Sequence, residues 1–226
     1  MVIKNERLRR VLKYALPFAV IPAAVVLGAL FAGKHYAIVI LLITILSLAL
    51  FAAGFEKKRT GNRRLVLCAV LTALSVAGRF IPFFKPVTAI STLTGVYLGG
   101  ESGFLVGAMS AVISNFYFGQ GPWTPFQMLS WGLIGLFAGL FCRWLKKSRI
   151  LLGVYGVISG VAFSILMDVW SVLWLSGEQG IGDYVAAIKA AVPFTILYCV
   201  SNVVFLVLLA PGFGSKLERI KMKYGI

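Results

Sequence analysis

The sequence predicts an all-α integral membrane protein, a six-helix bundle preceded by an N-terminal transmembrane helical hairpin. Three observations predict it. The 226 residues are 60% hydrophobic and only 13% charged, with a mean hydropathy of +0.93, whereas soluble domains carry about 25% charged residues. Apolar runs of about 20 residues recur along the chain, the length a hydrocarbon layer of about 30 Å demands of a helix. The basic residues fall in separated clusters between those runs.

Eight apolar spans are read in order, at about 12–32, 36–54, 65–82, 86–99, 102–117, 124–142, 150–176 and 184–210. A basic head precedes the first, but its apolar run is too long for a signal peptide and no small-residue cleavage site follows. It pairs with the second span as a retained hairpin, with Lys34 and His35 in the turn. A lone histidine there reads as an interfacial residue. The basic seam GFEKKRTGNRR marks the main boundary: residues 1–60 form the basic segment and hairpin, and 61–226 the six-helix substrate-binding domain. The spans 86–99, broken by Ser91, Thr92 and Thr94, and 102–117, rich in small residues, read as helices packed on helices. Cys68, Cys142 and Cys199 stand alone, without a CxxC pair, and read as free thiols.

The net charge of +15 raises a nucleic-acid function, but the distribution opposes it. With the N-terminus cytoplasmic, the inside segments 1–13, 55–64, 142–149 and 211–226 hold five, five, four and four basic residues, 18 of the chain's 22. That is the positive-inside asymmetry of a multi-pass cell-membrane protein with both termini in the cytoplasm. Residues 118–123 then lie outside.

Enzymatic parts are missing: no Walker A loop, no HExxH, no paired carboxylates and no Ser/His/Asp set. A bare metal ion as ligand lacks a His/Cys/carboxylate cluster, and no cofactor is expected in this chain. What the topology gathers near the outer face is a ring of polar groups: Arg79, Asn115, Gln120, Trp123, Thr124, Gln127, Trp131, Asp168 and Lys189. Charged groups at membrane depth face a bundle interior or a cavity, so the ring is the candidate substrate site. Plainer roles stay open for each. Asp168 either lines a pocket or bridges to Arg79 or Lys189. Trp123, Trp131, Trp170 and Trp174 suit an interfacial belt. Asn115 and Gln127 suit interhelical hydrogen bonding, and Tyr198 and Asn202 read as packing. In GQGPWTPFQM, Gly119 and Gly121 allow a tight turn, Thr124 is the expected N-cap, and Pro125 stiffens the first helical turn.

Small residues recur at helical spacing: Ala69 and Ala73; Gly103, Gly107 and Ala111; Gly132, Gly135 and Gly139; and Gly153, Gly156 and Gly160. Such faces let backbones approach closely. The lead-in RTGNRR, the Ala69/Ala73 face, TGVYLGGESGFLVGAMSAVISNF and GPWTPFQMLSWGLIGLFAGLF together resemble the S component of an energy-coupling factor (ECF) transporter, over about residues 60–210. The resemblance implies a six-helix fold that binds a vitamin or micronutrient from outside and tips over in the bilayer during import. It implies as partners a membrane coupling subunit, docked on Ala69 and Ala73, and two cytoplasmic ATPases that hydrolyse the ATP. The extra hairpin, residues 12–54, departs from the family pattern. An outer mouth rich in aromatics and amides favours cobalamin or another corrinoid as first choice, then a queuosine-type base or another heterocyclic vitamin. A non-transporting membrane scaffold and, third, a lipid-acting enzyme with Asp168 and Arg79 are the alternatives.

Overall fold

The computed structural model describes residues 6–31, 36–53, 58–175 and 181–224. The turn with Lys34 and His35 lies outside these residues, as does the side chain of Trp174. All regular structure among the described residues is helical, in the order α1 (Glu6–Ala15), a π-helical turn (Leu16–Val20), α2 (Ile21–Phe31), α3 (Tyr36–Ala53), α4 (Lys58–Gly78), α5 (Val87–Leu98), α6 (Gly100–Phe118), α7 (Thr124–Leu140), the single turn α8 (Cys142–Leu145), α9 (Arg149–Leu175) and α10 (Ile181–Tyr224). α1, the π turn and α2 follow one another without a break and form the first of the eight spans read from the sequence. The π turn coincides with Pro17, whose missing N–H removes an ordinary helical bond, and the Ile21 N–H reaches back to Leu16 O instead.

Two boundaries differ from the sequence reading. The third span runs from Lys58 to Gly78 rather than 65–82: lysine and arginine are good helix formers, whereas Pro82 disfavours helix in the residue before it. The last helix continues past Pro211 to Tyr224. A proline deletes one bond of the helical ladder, and packing offsets the loss. Leu217 is buried, Gly214 lies against the Tyr97 ring, and Arg63 Nη1 donates to Tyr224 O at 2.7 Å.

Glycine creates the tight centre of the bundle. A Cβ at Gly103 would stand 2.5 Å from Gly135 O, one at Gly107 2.3 Å from Trp131 O, and one at Gly95 2.0 Å from Gly135 O. No side chain fits there, so α5, α6 and α7 meet backbone to backbone. Gly156 and Gly160 perform the same role where α9 meets α10 at Asn202 and Cys199. α5 is buried along nearly its whole length, as a helix enclosed by other helices must be. Gly99, at φ 101°, caps α5 and lets α6 begin at the next residue. The N-terminal hairpin shares the main core: Ile21, Ile43 and Leu50 are fully buried in one cluster with Phe104, Met128 and Trp131. Lys13 pairs with Glu101 at 2.8 Å where α1 meets the start of α6. The three cysteines are free thiols.

Candidate functional site

At the end of the bundle away from that ion pair, α4 gives way to the loop 79–86, α6 to the turn 119–123, and α9 and α10 present one face each. The amide side chains there form a chain of hydrogen bonds that all run in one direction. Arg79 Nη1 donates to Ser114 Oγ and, at 2.8 Å, to Asn115 Oδ1. Asn115 Nδ2 donates to Thr124 Oγ1 and to Gln127 Oε1, both at 2.8 Å. Thr124 Oγ1 donates to Gln120 Oε1 at 3.0 Å, and Gln120 Nε2 ends the run on Val112 O at 2.7 Å. A guanidinium can only donate, so the arginine at its head fixes the orientation of every amide below it.

Five of the residues singled out in the sequence are thereby joined: Arg79, Asn115, Gln120, Thr124 and Gln127. Thr124 is not the helix cap. Trp123 occupies the cap position in helical conformation, and Thr124 is the first residue of α7, its hydroxyl taken up by the side-chain network. Gly119, at φ 100°, reverses the chain before it, and a Cβ on Gly121 would collide with the Trp123 ring at 2.2 Å.

Beside this network lies a cavity of about 40 Å³ bordered by Arg79, Lys85, Gln127, Trp131, Phe163 and Tyr198, with Thr88 and Asn202 below. Trp131 is 6% exposed and stacks on Phe163 at 5.0 Å and 17°, so it belongs to the interior and not to a surface belt. Tyr198 meets Phe163 edge-on at 5.2 Å. The Arg79 guanidinium lies 5.2 Å from the Trp131 ring centre and 4.8 Å from that of Phe118, within cation–π range.

Most of the lining was not assigned to the site from the sequence. Tyr198 and Asn202, read as packing, share one face of α10 at i and i+4 and both reach the cavity. Phe163 lacks any polar signal. Lys85 reaches it because its backbone is clamped: Lys85 N donates to Ser201 Oγ at 3.0 Å, and Ser201 Oγ donates back to Lys85 O at 3.3 Å. The short spacing between Arg79 and Lys85, with Pro82 and Pro86 around a tight loop, was the available clue.

Other residues singled out lie elsewhere. Trp123 packs edge-on against Trp170 at 5.7 Å. Asp168 is 8% exposed, yet among the described residues no ion pair joins it to Arg79 or Lys189. Arg79 directs its donors to Ser114 and Asn115, and Lys189 is exposed on α10, away from the cavity lining. Ala69 and Ala73 are exposed and line an apolar groove of about 540 Å³ with Leu65, Thr72, Leu105 and Met109. Among the described residues no group of three metal-ligating side chains converges.

The sequence profile described as ECF-type riboflavin transporter, S component, matches residues 60–218. The chain belongs to this family. Membership makes it an all-α membrane protein. The profile begins at residue 60, just inside α4. A UPF0397 protein of Aliivibrio salmonicida (strain LFI1238) is 30% identical over 114 residues, which cover 50% of this chain and 59% of that relative. The chain thus spans little more than half the length of the curated relative it matches. No solved structure matches it. Among the described residues, three helical stretches, Glu6–Gly28, Arg149–Leu173 and Ile181–Tyr224, are long and apolar enough to cross a membrane.

Proposed function

We propose that the protein is the substrate-binding subunit of an ECF transporter, that it captures a flat heterocyclic vitamin in the cavity beside Arg79, Trp131 and Tyr198, and that it hands the vitamin to a coupling complex whose ATPases drive import. The observation that carries this is the one-way hydrogen-bond chain from Arg79 to Gln127 next to the stacked Trp131 and Phe163 rings. Aromatic faces take a planar ring system by stacking, and a few fixed polar groups give it orientation. The concentration of 18 of 22 basic residues in the segments 1–13, 55–64, 142–149 and 211–226 supports an outward-facing cavity and cytoplasmic termini.

A corrinoid, first choice from the sequence, finds no support in the family description, which names riboflavin. Size argues the same way. About 40 Å³ has room for little more than one water, whereas small-molecule pockets measure roughly 300–1,000 Å³. The cavity must open to admit even a flavin-sized ring, and a macrocycle asks for far more. A flavin or another heterocycle of that size is therefore the substrate class we favour, with a queuosine-type base next.

For the partners, the exposed Ala69 and Ala73 edge of α4 offers an apolar groove that a helix of the coupling subunit can enter closely; two ATPases complete the assembly. Riboflavin titration of the purified chain, followed by flavin fluorescence, together with mass spectrometry of co-purified small molecules, tests the function. Saturable binding of a planar vitamin is the expected result. A chain that carries no small molecule and binds none from a vitamin panel acts instead as a membrane scaffold.

A further inference from the structure

The cavity contains two cations and no anion. Arg79 is 7% exposed, its Nε is buried without a hydrogen-bond partner, and no carboxylate among the described residues lies within ion-pairing distance of it. Lys85 borders the same cavity, with its ammonium 5.7 Å from the Phe118 ring centre. Asp168, the acidic residue buried in α9, is absent from the lining. A charge held this far from water is expensive unless something pairs with it, and cation–π contact returns only about 0.5–2 kcal/mol. The neutral groups face the same way. Gln127 Oε1 is occupied by Asn115, which leaves its amide hydrogens for the cavity, and Tyr198 brings a hydroxyl. Asn202, whose Nδ2 is spent on Gly156 O at 3.1 Å, supplies the one amide oxygen. The lining is donor-rich and carries uncompensated positive charge.

We propose that the substrate supplies the missing counter-charge: it is a heterocycle bearing a carboxylate or phosphate, which sits between Arg79 and Lys85. This rests on the assignment of the cavity as the substrate site. Charge-assisted bonds from a guanidinium and an ammonium are about twice as strong as neutral ones, so the anionic group, more than the ring, sets selectivity. Lys85 is held there by the Ser201 clamp, which makes the pair a built feature of α4, the loop and α10 together.

Matched probes test it on the purified full chain: riboflavin against flavin mononucleotide for phosphate, and nicotinamide against nicotinate for carboxylate. Wherever a pair binds, the anionic member is expected to bind at least about tenfold more tightly, and the charged group that wins separates phosphate from carboxylate. Lys85→Gln, in a loop, is expected to remove most of that preference while weakening the neutral member less; Arg79→Gln, which also removes the donor at the head of the amide network, is expected to weaken both members, the anionic one more. A neutral member that binds as well as its anionic partner, or a Lys85→Gln variant that weakens both equally, overturns the anion site but leaves the cavity as substrate site. Absence of binding by every probe overturns both.

Discussion

Asn115 accepts from Arg79 at 2.8 Å and, because the guanidinium cannot accept in return, its own amide hydrogens are committed to Thr124 and Gln127. Asn115→Asp keeps the shape and inverts the logic. The carboxylate would pair with Arg79 inside the protein and leave Thr124 and Gln127 without a donor. Binding of an anionic vitamin is expected to fall by about tenfold or more, read by equilibrium titration, while the thermal midpoint changes little. Unchanged affinity would show that Arg79 does not meet the ligand.

The loop carrying Lys85 is held by one side chain. Ser201→Ala deletes both bonds to the Lys85 backbone without touching the Arg79 network. Each bond of this kind is worth about 1 kcal/mol, so binding is expected to weaken by about five- to thirtyfold. Stopped-flow release of bound ligand should place the effect in the dissociation rate.

The glycine contacts separate essential from incidental positions. A Cβ on Gly135 would stand 2.3 Å from Gly103 C, so Gly135→Val must pry α6 from α7 at a cost of about 1–3 kcal/mol or more. At Gly212 nothing lies within 4 Å. Gly212→Ala should be neutral or stabilise by up to about 1 kcal/mol. Thermal unfolding in detergent distinguishes the two.

On the opposite side of α4, Ala69→Trp and Ala73→Trp fill the apolar groove without reaching the cavity. Both variants are expected to bind vitamin as the parent does and to lose uptake in cells that supply the coupling subunit and ATPases. Parallel loss of binding and uptake would mean that the groove serves internal packing alone.

Much of this was legible in the sequence because membranes impose simple rules. The helix order followed from apolar length, and the interior placement of α5 from Ser91, Thr92 and Thr94 in a short span. The polar residues of α6 and α7 announced themselves by standing in apolar surroundings, and Arg79, Asn115, Thr124 and Gln127 do converge. Depth alone, however, says nothing about rotation about a helix axis. Lys189 has the right depth but is exposed, and Asp168 has no ion partner among the described residues. Tyr198, Asn202 and Phe163 reach the cavity because of how α9 and α10 pack through Gly156 and Gly160, a relation between two helices that neither one encodes separately. The cap at Trp123 rather than Thr124 has the same origin: the threonine hydroxyl is bound by partners on α6 and in the turn.

Identification of co-purified small molecules decides whether the Arg79–Gln127 cavity is the substrate site. The parent chain, Gln127→Leu and Ala73→Trp would be purified in parallel and their ligands identified by mass spectrometry. One planar vitamin is expected on the parent and on Ala73→Trp, and none on Gln127→Leu. The same ligand retained at parental occupancy in a folded Gln127→Leu chain would contradict that role for the cavity.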